Sequence, residues 1–374
     1  MKRWAVVLSA LFAGMLPVQA RCAIVGHVFT AGMSSTITRL GDAEVRDGRT
    51  PGLTIGVVED GRLVYARGFG FANAARKFPV APDTEFYVGD ITHQFTAAAV
   101  LMLEQDGKLK LDDKVTKYLP ELTIAADVSI AQLLQQTSGL PDYLKGAQPA
   151  VDLTRSEKPA DLIAALNAMK PVAPPGAVYA DNPTNYLLAG MIVEQAGGEP
   201  LSDFLQQRIF VPLVMDRTFL AGDTGISAAR AVGYTHGGNG FVAARPWDPA
   251  WLAGDRGLVT TVYDLSKWDI EMPVLVRVDA VRAMLTSSGT PGPSHYGMGW
   301  VIDQRAGKSF VWYAGQVPGY QAANAVLPDD HIAVIVLANT DALHGGRVVS
   351  PMQVAARVLD VVSPPGTAQL DNAV

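Results

Sequence analysis

The chain has 374 residues, of which 49% are hydrophobic, and a net charge of −6. That is enough apolar sequence for a large core, in one compound domain or two. Basic and acidic residues are interspersed without a like-charge run, which argues against nucleic acid as a partner. No internal repeat or low-complexity segment interrupts the chain.

The N-terminus has the pattern of an export signal. Lys2 and Arg3 form a charged start, Trp4 to Leu16 is an apolar run, and Pro17 to Ala20 is a small-residue cleavage region. The expected mature protein begins near residue 21 and is periplasmic or extracellular. The apolar run is too short for a membrane span, and no later segment offers one. Cys22 is the only cysteine, so no internal disulfide can form. Arg21 stands where a lipoprotein signal wants a small residue.

Met33 to Asp47 has a helical pattern. Leu53 to Val58 and Leu63 to Ala66 are β-rich around Asp60-Gly61, a hairpin signal. Ile91 to Gln105 is apolar almost all round, as a buried helix is, and Gly107 ends it. Ala160 to Met169 and Tyr186 to Ala196 are predicted helices, with Pro171, Pro174 and Pro175 marking a loop between them. Trp247 to Gly257 reads as a loop before a helix from about Tyr263. Tyr296 to Asp303, Ser309 to Tyr313, Gln321 to Leu327 and Ile332 to Ala338 read as strands, and Val349 to Val362 as a closing helix. The pattern predicts an α+β fold. Its antiparallel sheet is built from N- and C-terminal segments (about 33–80 and 290–363), flanked by helices, with a mainly helical insertion (about 81–289). One domain is expected over 21–363, followed by a disordered tail at 364–374.

Three stretches carry chemistry-bearing residues. The first runs Phe86-Tyr87-Val88-Gly89-Asp90-Ile91-Thr92-His93 into the buried helix. The second runs Pro175-Gly176, Tyr179-Ala180-Asp181-Asn182-Pro183, then Thr184-Asn185-Tyr186. The third is Trp312-Tyr313-Ala314-Gly315, followed by Pro318-Gly319-Tyr320. Between them lie Tyr118-Leu119-Pro120-Glu121, Thr137-Ser138-Gly139-Leu140 and Tyr296-Gly297-Met298-Gly299-Trp300. From about residue 50 to 340 this succession resembles the serine β-lactamase and penicillin-binding-protein superfamily. Within it, the class C β-lactamase, esterase and D-alanyl-D-alanine carboxypeptidase branch is the most similar. The resemblance implies a β-lactamase/transpeptidase-like fold.

It also implies three motifs, all altered here. The family's S-x-x-K places a nucleophile and a lysine on one helix face; this chain has Asp90 and His93. The tyrosine of Tyr-Ser-Asn is replaced by Asp181, with Asn182 beside it and Tyr179 two places early. The basic residue of Lys/His-Thr-Gly is replaced by Tyr313, and Ala314 removes the hydroxyl, while Gly315 would still let a ligand approach the strand. Gln136 stands where relatives often carry histidine.

Asp90 is expected to cap the helix, for about 1 kcal/mol, with roughly 0.3–1 kcal/mol more from the helix dipole. His93, three residues on, could pair with it. As a nucleophile Asp90 would form an anhydride from an ester or lactam, which is unfavourable. His236, His295 and His344 fall in expected loops as solvated side chains.

Losing a nucleophile–base unit lowers turnover on the order of a millionfold, about 8 kcal/mol of barrier. The leading expectation is therefore a pseudoenzyme that uses the old cleft to bind a small molecule, a peptidoglycan-like fragment or a protein, through Tyr179, Asn182 and Gly315. No cofactor is expected. The alternative is a hydrolase with rearranged acid–base chemistry at Asp90, His93, Asp181 and Tyr313, with a divalent metal as an option. A third possibility is weak esterase activity from backbone oxyanion donors alone.

Overall fold

The computed structural model describes residues 28–145, 153–156, 158–222, 227, 229–238, 240–289, 295–343 and 346–365. The export-signal segment, Cys22, His344 and tail residues 366–374 lie outside the described residues.

Helix α1 (Ala31–Arg46) starts at Thr30, whose side chain accepts the Met33 N–H. Strands β1 (Gly52–Glu59) and β2 (Arg62–Asn73) form the predicted hairpin. Asp60 and Gly61 have φ of +48° and +71°, the left-handed pair that Asp-Gly favours at a two-residue turn. Two short strands follow, β3 (Phe78–Pro79) and β4 (Phe86–Tyr87), before α2 (Thr92–Gln105). The inserted segment continues with α3 (Ile130–Leu134), α4 (Pro159–Asn167), α5 (Pro183–Gly197) and α6 (Leu201–Leu205). It then holds β5 (Phe219–Leu220), β6 (Tyr234–Gly237), β7 (Gly240–Ala243), the short helix α7 (Ala253–Arg256) and β8 (Leu258–Thr260). Helices α8 (Val262–Leu275) and α9 (Val278–Met284) complete it. The chain returns to the sheet with β9 (His295–Tyr296), β10 (Val301–Arg305), β11 (Lys308–Val317), β12 (Tyr320–Leu327) and β13 (Ile332–Ala338), and α10 (Pro351–Val362) follows.

The main sheet runs β3-β2-β1-β13-β12-β11-β10-β9. N- and C-terminal strands meet at β1 and β13, antiparallel from Leu53 opposite Ala338 to Glu59 opposite Ile332. Both strands are buried along their whole length, as continuous apolar runs covered on both faces should be. Helices α1 and α10 pack with Ile37, Val354 and Val358 in one core. A second core holds α2, α5, Val262 and Leu265 of α8, and the helical segment. The architecture is the mixed α/β fold expected, with an antiparallel sheet from both ends of the chain and a helical insertion.

Three local expectations differ. The predicted loop at Trp247 to Gly257 holds a capped turn at Pro249–Trp251, started by Asp248, and the helix α7. The predicted strand at Tyr296 to Asp303 is split into β9 and β10 by a turn through Gly299, at φ +82°. His236 and His295 lie in the short strands β6 and β9 rather than in loops.

One half-buried acid affects stability directly. Asp269 of α8 accepts a hydrogen bond from Asn324 Nδ2 of β12 at 2.7 Å, while its Oδ2 is buried without a hydrogen-bond partner among the described residues. Burial raises its pKa to about 7, against an ordinary 3.8. Between those values the folded chain holds a proton that the unfolded chain has released, so this group's contribution falls as pH rises through that window. At roughly 1.4 kcal/mol per unit the effect reaches a few kcal/mol. Asp269→Asn should remove the decline. Urea unfolding at pH 5 and pH 8 should show the variant gaining on the parent protein at pH 8.

Candidate functional site

The site is built where the entrance to α2 presses against β11. Two glycines allow this approach. A Cβ on Gly315 would lie 1.9 Å from the Val88 carbonyl oxygen, and one on Gly89, at φ +56°, would lie 2.4 Å from the Gln316 nitrogen. Gly315 thus serves contact with the chain's own backbone, a role its sequence position did not suggest. The contact brings Asp90 onto the strand. Asp90 Oδ2 accepts the Gln316 N–H at 2.9 Å, and its Oδ1 accepts Arg256 Nη2 at 2.7 Å.

Asp90 is not the expected helix cap. The chain enters α2 through a 3-10 turn at Gly89–Ile91, and Ile91, already helical at φ −59° and ψ −21°, precedes the first residue of α2 with no side-chain cap. Nor does His93 pair with Asp90. Its Nε2 lies 2.8 Å from Asp255 Oδ1, and its Nδ1 lies 3.1 Å from the Tyr313 hydroxyl and 3.4 Å from that of Tyr296. With Asp255 as acceptor Nε2 carries a proton, and the role of Nδ1 toward Tyr313 follows the protonation of the ring. The imidazole stacks on Tyr186, with ring centroids 3.8 Å apart and planes 6° apart. Arg256 Nη1 is 2.9 Å from Asp255 Oδ2. A continuous polar chain results: Gln316 N–H, Asp90, Arg256, Asp255, His93 and Tyr313.

This chain is withdrawn from solvent. Asp90 is 8% exposed, and His93 and Asp255 are fully buried. Burial pushes the Asp90 carboxyl up, but Arg256, His93 and the Gln316 N–H outweigh it and hold its pKa below the ordinary value. For Asp255, burial outweighs Arg256 and His93, and its pKa is raised. Burial would lower the Arg256 pKa, but Asp255 and Asp90 hold it well above the ordinary value. Burial also raises Tyr313 and Tyr296.

Asp181 is solvent-exposed as a residue, yet near enough to Asp90, His93 and Arg256 for their charges to act on its carboxyl. Gln136 Nε2 donates to its Oδ1 at 3.1 Å, and Gln136 Oε1 accepts the Asn182 N–H at 3.2 Å. Desolvation by the cleft walls and the charge of Asp90 raise the Asp181 pKa. Asn182, expected to bind a ligand, is engaged instead as the cap of α5. Its Oδ1 accepts the Thr184 N–H and its Nδ2 donates to the Leu140 carbonyl, at 2.9 and 2.8 Å. Tyr179 is half-buried, its ring 5.6 Å from that of Tyr296. The structure therefore brings Asp90, His93 and Tyr313 into one cluster and leaves Asp181 at its edge.

A cavity of about 400 Å³ adjoins this cluster, lined by Tyr87, Arg230, Trp247, Val317, Pro318 and Tyr320 among others. Val317 directly follows Gln316. The Arg230 guanidinium lies over the Tyr87 ring, 5.5 Å from its centroid, and makes no ion pair among the described residues.

Sequence reasoning missed Asp255, Arg256, Arg230, Tyr186 and Gln316. The one available signal was Asp255-Arg256 set within Trp251-Leu252-Ala253-Gly254 and Gly257-Leu258-Val259. An acid–base pair flanked by apolar residues on both sides suits buried, mutually paired charges. Ligand atoms of Asp90, His93 and Asp255 all lie within 4.8 Å of one another, close enough to hold a metal ion. Arg256 already supplies a cation to both carboxylates.

Removing Arg256 would leave Asp90 and Asp255 buried without their shared counter-ion. Arg256→Ala should cost about 3–5 kcal/mol of stability, read by urea unfolding at pH 7. Adding Asp90→Asn should recover part of that loss, because it removes one of the two stranded charges. A loss within experimental error for Arg256→Ala would contradict this account of the cluster.

The Beta-lactamase family model matches residues 33–358. Among curated proteins, Protein flp of Staphylococcus aureus (strain N315) is 24% identical over 324 residues, covering 84% of this chain and 64% of the relative. D-aminopeptidase of Cereibacter sphaeroides is 29% identical over 309 residues, covering 79% of this chain and 58% of the relative. The chain thus spans less than two thirds of the length of these relatives. The penicillin-binding protein homologue from Pyrococcus abyssi superposes with a TM-score of 0.75 at 27% identity, covering 88% of this chain and 76% of that one. D-amino acid amidase from Ochrobactrum anthropi SV3 shares the fold, with a TM-score of 0.80 at 22% identity, covering 89% of this chain and 99% of that one. By sequence and by fold, this chain belongs to the β-lactamase family.

Proposed function

We propose that this chain is a binding member of its family, which holds a small carboxylate ligand beside the old catalytic centre and performs no serine acyl transfer. The observation that carries this reading is the state of Asp90. It occupies the nucleophile position, and both its oxygens are engaged, one by Arg256 and one by the Gln316 N–H. An ionised carboxylate needs no base, but the Arg256 ion pair and the Gln316 N–H draw charge from its oxygens, and its attack on an ester or lactam would leave an anhydride. Here the neighbouring imidazole is turned away to Asp255 and Tyr313. The Gln316 N–H is spent on Asp90 itself, which also weakens the case for backbone oxyanion donors acting alone.

Arg230 supports the ligand class. It is a cation without an ion pair among the described residues, in a cavity walled by Tyr87, Trp247 and Tyr320. A carboxylate with an apolar or aromatic body matches both features. A family member of similar fold is complexed with D-phenylalanine, a molecule of this class. The export pattern at the N-terminus adds peptidoglycan-derived peptides as a source of such ligands.

Two measurements test this. Incubation with a fluorescent penicillin and with a fluorophosphonate, followed by intact-mass spectrometry, should give no adduct; a stoichiometric adduct would sink the proposal. N-acetyl-D-phenylalanine should bind in calorimetry, and Arg230→Gln should weaken it at least tenfold, or about 1.4 kcal/mol. Equal binding by the variant would remove Arg230 from the site.

A rearranged hydrolase remains the second reading, favoured by the spacing of Asp90, His93 and Asp255. A divalent ion there would face the Arg256 guanidinium at close range, so the donor set fits a metal poorly unless Arg256 swings out. Elemental analysis of purified protein should find less than a tenth of an equivalent of zinc, manganese or iron. A full equivalent, lost in Asp255→Asn, would favour the hydrolase.

A further inference from the structure

A second cavity lies between α8, α9 and the main sheet, at the end bearing the turns near Gly61 and His331. It holds about 230 Å³, against roughly 150 Å³ for an engineered apolar cavity that takes up benzene. Its walls are mostly apolar, with Met272 from α8, Val281 from α9 and Val311 from β11. Two buried polar atoms belong to its lining residues and have no hydrogen-bond partner among the described residues: Asp269 Oδ2 and Trp300 Nε1. Trp300 is 2% exposed. An acceptor left unpaired in an apolar surrounding is unfavourable, so the Asp269 carboxylate calls for a donor. No lysine or arginine lines the cavity, and Asp269 and His331 are its titratable groups. The Asp269 carboxylate therefore lines an apolar space with one neutral donor, Asn324, and no counter-ion among the described residues.

We propose that this cavity binds a small monovalent organic cation, a primary ammonium on a short aromatic or aliphatic body. The ammonium pairs with the Asp269 carboxylate, and the body packs against Met272, Val281 and the Trp300 ring. An anion would be repelled by Asp269, and a neutral alcohol of the same shape could donate one hydrogen bond but would leave the charge uncompensated. The site is separate from the Arg230 cavity, which suits the opposite charge.

Ionisation of Asp269 gives the binding a pH dependence. With a pKa near 7 the carboxyl goes from about one-tenth to nine-tenths ionised between pH 6 and pH 8, while a simple amine stays protonated. Affinity should therefore rise about tenfold across that range.

Benzylamine, benzyl alcohol and benzoate titrated into the full chain decide the matter. Calorimetry should show one benzylamine site that is at least tenfold tighter than benzyl alcohol at pH 8, and no benzoate site that Asp269→Asn alters. Asp269→Asn should abolish the preference for benzylamine over benzyl alcohol. His331→Asn should leave the pH 6 to pH 8 rise in place. In nuclear magnetic resonance the Trp300 indole N–H, assigned with Trp300→Phe, should shift on saturation with benzylamine. If Asp269→Asn fails to fold, the comparison of amine with alcohol at the two pH values, read at the Trp300 indole, decides alone. The proposal is overturned by absence of saturable benzylamine binding at millimolar concentration, by equal affinity for benzyl alcohol, or by an unmoved Trp300 signal.

Discussion

Arg256 lies between two carboxylates that would otherwise repel each other inside the protein, Asp90 at 2.7 Å and Asp255 at 2.9 Å. Taking such charges out of water is expensive, and only close geometry with further hydrogen bonds compensates for it. The surrounding helices supply that geometry. Gly254 of α7 packs against Gly190 of α5, where an added Cβ would come within 2.9 Å of the Gly190 Cα. Thr96 of α2 donates to the Gly254 carbonyl at 2.7 Å. These contacts set Asp255 beneath the imidazole of His93 and aim Arg256 at the start of α2. The close approach of Gly89 and Gly315 then delivers the Gln316 N–H to the other oxygen of Asp90. Helix entrance, strand and α7 are held by one set of charges.

The same arrangement underlies the proposal that this chain performs no group transfer at the old catalytic positions. A reactive centre keeps some polar capacity unspent in the ground state, so that it can act on charge developing in a transition state. Here that capacity is consumed within the protein. Asp90 takes the strand N–H, Arg256 takes Asp90, and His93 is fixed between Asp255 and Tyr313 on a stacked Tyr186. What stays available lies at the rim: Asp181 at the mouth and Arg230 in the aromatic cavity.

Much of this was legible in the sequence where the signal was local. Asp60-Gly61 specified the hairpin, the apolar run after Ile91 specified a buried helix, and Ile332 to Ala338 matched β13 residue for residue. The motif positions also led to Asp90, His93 and Tyr313, of which His93 and Tyr313 do meet. Pairing was not legible. His93 finds Asp255 across 162 residues, and Asp90 finds Arg256 across 166. Spacing of three on a helix suggested instead that Asp90 and His93 pair with each other. Whether Asp90 caps the helix depended on how the chain enters it, and the 3-10 turn that turns Asp90 toward β11 has no sequence signature. Asn182 and Gly315 were assigned to a ligand because the motif places them at the cleft. Each is instead needed by the chain itself, one to start α5 and one to admit Val88 to Asp90 against the strand.

Charge balance separates framework from recognition in this molecule. The buried cluster around Arg256 answers every carboxylate with a cation or a donor, so any ligand entering it must first break bonds the protein already makes. Arg230 and Asp269 differ from that cluster and from each other. Among the described residues, one is a cation lining an aromatic cavity with no carboxylate opposite, and the other is an acid lining an apolar cavity with no cation opposite. An uncompensated charge beside an open volume lowers stability in the empty protein, and a ligand of opposite sign recovers that loss on binding. By this criterion, the recognition proposed for this chain lies off the catalytic positions, at two side chains that the family's motifs do not include.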